Sequence, residues 1–159
     1  MTIKVKKRNG RLEDLNLDKI NRSVERACIG LDSVSISEIV LDANVQFYNR
    51  ISTDEIDKAL IFSAKSKIEN DPEYNLVAAR LLLNTIYKEV FGEGVDSDIF
   101  ELQYKKSFIT NIKKLVKDNR VDKLLVEKFD IKQLAEYIKP ERDLLLKYIS
   151  VQTLYDRYF

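Results

Sequence analysis

VKKRNGRLEDLNLDKI, Val5 to Ile20, reads as a two-stranded hairpin that runs directly into a helix. Just upstream and into it, Ile3 and Val5 alternate with Lys4 and Lys6, the period-two pattern of a short half-buried strand over Thr2–Arg8. Asn9-Gly10 is the favoured pair for a type I′ turn, in which both central residues need positive φ. Arg11 to Leu15 then returns as the second strand. Asn16 is placed to cap the following helix with its side-chain oxygen. Ile20, Val24, Ala27, Cys28 and Leu31 recur at helical spacing and give that helix an apolar face, with Gly30 near its end.

Working outward, the pattern stays helical. Ser35 or Ser37 can cap a second helix through Ile39, Val40, Ala43 and Phe47. Ser52 or Thr53 starts a third, with Glu55 and Asp57 near its positive end and Ile56, Leu60, Phe62, Ala64 and Ile68 inside. Asp71-Pro72 interrupts it, and Pro72 suits the first turn of a fourth helix from about Glu73 to Phe91. Val77, Ala78, Leu81, Leu82, Ile86 and Val90 form that helix's inner face, and Gly92 and Gly94 end it. Asp98 then caps a segment through Ile99, Leu102, Phe108, Ile112, Leu115 and Val116. Shorter helices follow over Val121–Phe129 and Ile131–Ile138, and Pro140 opens a last one through Leu144, Leu145, Tyr148 and Leu154. The expected fold is mainly α with a small β-hairpin: a hairpin lid on a four-helix bundle, followed by an additional helical segment. Gly92–Asp96 is the linker candidate, which divides the chain into 1–92 and 93–159. The aromatic ending from Tyr155 to Phe159 reads as the edge of something longer or as a surface that docks on a partner chain.

Composition excludes several function classes. Lys and Arg number 27 and Asp and Glu 26, a net charge of +1, so no bulk attraction to nucleic acid or membrane is implied and any anion site must be a local cluster. With 45% hydrophobic and 33% charged residues, four glycines and two prolines, this is the balance of a folded helical chain. One cysteine rules out an internal disulfide and a multi-cysteine metal site, and the lack of histidine rules out histidine triads and histidine metal ligands. No apolar run reaches membrane-spanning length, and a cytoplasmic setting is expected.

Lys6, Lys7 and Arg8 crowd the turn end of the hairpin. One reading is a solvated strand edge whose lysines discourage edge-to-edge pairing. The other is an anion clamp. Adjacent strand residues cannot all face one way, but at a twisted hairpin end two cations can converge, Lys19 can approach from the first helix, and Lys88 from the fourth. Charge-assisted hydrogen bonds of about 1.5–3 kcal/mol each would hold a polyphosphate beneath the hairpin. Glu13 and Asn16 supply an acceptor and an amide suited to a purine edge. No Walker-type glycine loop is present, so this would be a nucleotide site of another design.

VKKRNGRLEDLNLDKI, then QFYNRISTDEIDKAL (Gln46–Leu60), then YNLVAARLLL (Tyr74–Leu83), together resemble the ATP-cone at the amino terminus of the class I ribonucleotide reductase large subunit. The resemblance covers about Ile3 to Gly92. The following helices and ISVQTLYDRYF resemble the segment that leads into that enzyme's catalytic region. The resemblance implies an allosteric switch at which ATP permits ribonucleotide reduction and dATP shuts it down through a change of assembly with the radical-bearing small subunit. Carried over by position, Val5 would meet the adenine through its backbone. Lys7 and Arg8 would hold phosphates, with Lys19 and Lys88 completing the charge. Glu13, Asn16 and Thr53 would surround base and sugar, and Phe47 would pack behind the site or simply in the core. Magnesium would accompany the triphosphate. Where the family often carries a histidine one turn after the threonine, this chain has Asp57, which either joins the magnesium shell or marks a different handling of the nucleotide.

The same resemblance places the reductase chemistry elsewhere, because that chemistry needs a radical cysteine and a redox pair in a barrel, and this chain has only Cys28, on the apolar stripe of the first helix. No residue here is expected to be catalytic. A cone-bearing transcriptional repressor would add a cysteine-rich zinc ribbon; the cone alone does not exclude a glycyl-radical reductase, but the continuation from Gly92 to Phe159 favours class I. A nucleic-acid-binding module would use Lys6, Lys7 and Arg8 with Lys105-Lys106 and Lys113-Lys114, and a stand-alone helical scaffold would use its charges only for solubility.

Overall fold

A computed structural model describes residues 3–92 and 100–158. The proposed linker beyond Gly92, the helix end at Gly94, and the cap and first residue at Asp98 and Ile99 lie outside the described residues. The packing divides into two units: residues 3–86 with 144–158, and residues 87–92 with 100–143.

In the first unit, β1 (Lys4–Lys6) and β2 (Leu12–Asp14) pair antiparallel, with Val5 opposite Glu13. Their connection differs from the expected type I′ turn. Only Gly10 takes positive φ, at 82°, while Asn9 does not. The Lys7 carbonyl accepts from Gly10 N at 2.8 Å and Lys7 N donates to the Arg11 carbonyl at 2.8 Å. That is a three-residue connection with a left-handed glycine in its last place. The longer loop relieves Asn9 of positive φ, and its Oδ1 instead accepts from Arg11 N at 3.0 Å.

The hairpin also has a third partner. β3 (Ile51–Ser52) pairs parallel to β1, Val5 opposite Ile51 and Lys6 opposite Ser52, so the strand order is β2-β1-β3. Paired residues share a face. Val5 and Ile51, 5% and 2% exposed, form the apolar inner face. Lys4, Lys6, Leu12, Asp14 and Ser52 lie on the other, where Lys4 Nζ meets Asp14 Oδ1 at 2.6 Å. The chain reaches β3 through Arg50, held left-handed at φ 70°, while Arg50 N donates to the Lys4 carbonyl and Asn49 Oδ1 accepts from Lys4 N.

Each flanking strand delivers a helix. β2 leads to α1 (Leu17–Ala27), capped by Asn16, whose side chain accepts from Lys19 N at 3.0 Å. Ile20, Val24 and Ala27 are buried, and Gly30 at φ 71° follows the helix end. α2 (Ile36–Asn44) is capped by Ser35 and buries Ile39, Val40 and Ala43. Phe47 falls after α2, half-buried in the connection to β3, and so is not the helix residue expected. β3 leads to α3 (Thr53–Ser66) through a capping box: Ser52 Oγ accepts from Glu55 N, and the Glu55 carboxylate accepts from Ser52 N. Phe62 is 59% exposed, against expectation. It lies six residues after the buried Ile56, about 120° round the helix from it.

α4 (Tyr74–Phe91) buries Val77, Ala78, Leu81 and Leu82, while Ile86 is half-buried and Val90 exposed. Arg80 Nη1 donates to the Ala27 and Ile29 carbonyls at 2.9 and 2.8 Å, satisfying orphan acceptors at the end of α1. The expected single last helix is two pieces: a 3-10 segment Pro140–Leu145 and α8 (Tyr148–Tyr158). Tyr148 N donates to Asn75 Oδ1 on α4 at 2.7 Å, so α8 starts afresh with a cap supplied from the bundle. Val151 is its buried anchor, and Lys65 Nζ on α3 lies 5.6 Å from the Tyr148 ring centroid.

In the second unit, α5 (Phe100–Lys117), α6 (Leu124–Lys128) and α7 (Ile131–Tyr137) follow one another. α6 is shorter than expected, and Asp130 caps α7 through its side chain. Tyr87, Phe91, Phe100 and Tyr104 cluster with ring centroids 4.9–6.4 Å apart. Asp143 accepts from the Tyr87 and Tyr104 hydroxyls at 2.7 and 3.2 Å. Burial first, then that carboxylate, pushes Tyr104 up to about 12 and Tyr87 further still. Among the described residues no helix is long and apolar enough to cross a membrane.

Candidate functional site

The sheet arranges the predicted residues at two ends. At one, the parallel pairing of Lys6 with Ser52 sets the hairpin tip beside the first turn of α3. Arg8 Nε donates to Asp54 Oδ1 at 2.9 Å, and the Arg8 side chain is 23% exposed. Continuing the strand alternation puts Lys7 on the inner face with Val5, and Lys7 is half-buried. Thr53 opens α3. Its Oγ1 is buried and has no hydrogen-bond partner among the described residues, a deficit that costs about 1–3 kcal/mol unless something else meets it. Asp57 stands one turn further along the same helix, half-buried.

Glu13 stands opposite Val5 at the middle of the strands, and the other end carries Asn16. β2 runs antiparallel to β1, so Asn16 lies beside the start of β1, where Leu15 N donates to the Ile3 carbonyl at 2.9 Å. The two ends are separated by the length of a three-residue strand, roughly 10 Å. Glu13, Asn16 and Lys19 are all exposed. Asn16 Oδ1 is committed to the cap of α1, which leaves its amide group to face outward. Lys19 sits in the turn that Asn16 caps. Lys88 is in the last turn of α4, half-buried, within the second unit.

Asp54 was missing from the sequence reading. The signal was present: Asp54 and Glu55 place two acids in one first turn, where helix-dipole logic explains both without a cationic partner. Glu55 is held by the Tyr48 hydroxyl at 2.6 Å and by Ser52 N and Oγ at 2.9 and 2.7 Å. These donors, Tyr48 first, lower its carboxyl from the ordinary 4.5 to about 2. A depressed folded-state value means stability that is complete above about 4.5 and is lost as pH falls toward 2. Urea denaturation of the parent chain and Glu55→Gln should therefore show the parent losing stability more steeply between pH 4.5 and 2. Equal slopes would contradict the assigned bonds.

Residues 3–89 match the ATP cone domain. The chain belongs to the ATP-cone family. All nine sequence-predicted positions, Val5 to Lys88, lie within the matched stretch. The chain is also similar to the Ribonucleoside-diphosphate reductase subunit alpha of Helicobacter pylori, 40% identical over 98% of this chain and 19% of that relative. It is 33% identical to the Ribonucleoside-diphosphate reductase 1 subunit alpha of Salmonella typhimurium and 32% to that of Escherichia coli, over 97% of this chain and 20% of each. The chain thus spans about a fifth of the length of these relatives.

Among the described residues no group of three or more Asp, Glu, Cys or His could cage an ion. Magnesium, which keeps several waters and binds through one or two carboxylates plus phosphates, suits an arrangement in which a nucleotide brings it. Beyond the cone, one lysine that a nucleic-acid surface would use is paired: Lys105 Nζ is 2.8 Å from Glu101 and 3.0 Å from Glu136.

Proposed function

We infer that the chain is a nucleotide-binding regulatory module of a ribonucleoside-diphosphate reductase large subunit, which binds ATP as activator and dATP as inhibitor of deoxyribonucleotide synthesis. The reading is supported by cone membership together with the named relatives. The single observation that carries it is the cationic hairpin tip set against the first turn of α3, where Thr53 Oγ1 lacks a partner among the described residues. Phosphates go to the tip, to Lys7 and Arg8, with magnesium carried by the triphosphate and Asp57 at its edge. The adenosine runs past Val5 and Glu13 toward Asn16, with Thr53 toward the sugar and base. Lys19 adds charge. The nucleotide module is residues 1–92, with 93–159 as its helical continuation toward the catalytic part. Its partners are that remainder and the radical-bearing small subunit, in an assembly that depends on which nucleotide is bound.

Titration calorimetry of the purified chain with ATP and with dATP, each with magnesium, tests this. Saturable heat with both nucleotides, and competition between them, is expected. No heat with either at near-millimolar concentration would refute the reading.

A further inference from the structure

We propose that Asp54 is a built-in competitor for the nucleotide's phosphates: its carboxylate holds Arg8 in the nucleotide-free chain, and a phosphate must displace it. The proposal rests on the nucleotide reading above and adds a residue that sets how tightly this chain binds. Asp54 is the second residue of α3, where a carboxylate is favoured by the helix terminus whether or not an arginine is near. The acid is therefore fixed by its helix, and the hairpin side chain comes down to it. The register that brings them together is set by backbone bonds between β1 and β3, independent of either side chain. Only 23% of the Arg8 side chain is exposed, whereas the Asp54 side chain is 55% exposed. The pair is thus open to water on the acid's side, and a screened pair of this kind is weak enough to exchange. A phosphate offers more charge and more acceptor oxygens to the same guanidinium, so it wins the exchange. The displaced carboxylate then remains beside the phosphates, which lowers affinity below what Lys7 and Arg8 would give unopposed.

The test is Asp54→Asn in the full chain, titrated with magnesium-ATP. Affinity should rise about two- to fivefold, the range of one exposed ion pair. In an Arg8→Ala background the same substitution should change affinity by less than about 1.5-fold, because the competition has no object. Equal or weaker binding by Asp54→Asn overturns the proposal, and so does an equal gain in both backgrounds, which would make Asp54 a general repulsive charge. A second measurement needs no nucleotide. The Arg8 Nε–H resonance of the nucleotide-free chain should exchange faster with water in Asp54→Asn, and an unchanged resonance overturns the pairing. If every variant and the parent fail to bind while that resonance does respond, the nucleotide reading is what has failed, and the competitor role falls with it.

Discussion

Lys7→Ala should weaken ATP and dATP binding about ten- to a hundredfold, the scale of one lost charge-assisted hydrogen bond. The effect is expected to be on the ligand rather than on the hairpin. The bonds that hold the turn run from Lys7 N to the Arg11 carbonyl and from Gly10 N to the Lys7 carbonyl, and neither uses the side chain. Continuing the strand alternation one residue past β1 puts the half-buried Lys7 on the face of Val5, while Lys6 is on the outer face. Lys113→Ala, an exposed lysine on α5, is the control and should leave affinity within about twofold. Calorimetry on the three chains decides it. Equal losses at Lys7 and Lys113 would point to diffuse charge attraction and not to a site.

Ile51→Ala should cost about 2–5 kcal/mol of unfolding free energy, the range for truncating a buried isoleucine. Ile51 is 2% exposed and pairs with Val5, so its loss opens a cavity at the seam between sheet and bundle. It also loosens the strand that brings the hairpin tip to α3. Nucleotide affinity should fall with stability, although no ligand-facing side chain has changed. Val45→Ala, at an 85% exposed position, should stay within about 0.5 kcal/mol. Urea unfolding of both variants checks this. A small effect at Ile51 would mean that β3 does not anchor the hairpin.

What the sequence disclosed was what local chemistry encodes. Val5 flanked by lysines, the Asn16 cap, the Ser52–Glu55 box and the apolar stripes of α1 to α4 each depend on residues within one or two turns of each other. What it hid depends on distant partners. β3 has two residues, too few for alternation to show, and its place rests on Arg50 adopting φ 70° and on Asn49 reaching Lys4. Without β3 nothing tells that Arg8 faces Asp54, so the acid drew no notice. The turn was misjudged because Asn-Gly favours the two-residue loop, whereas the Lys7–Arg11 bonds enclose three residues. The break before α8 was missed because its cap, Asn75, lies 73 residues upstream.

The central claim is that a three-stranded sheet sets a cationic hairpin tip against the first turn of α3 to receive a nucleotide. Amide-resolved NMR during titration of the labelled chain with magnesium-dATP tests it most directly. The expected result is saturable shifts concentrated in residues 5–19 and 52–57, together with the Arg8 Nε–H resonance. Saturable shifts confined to α5, α6 and α7, with the hairpin and the start of α3 unmoved, would contradict it.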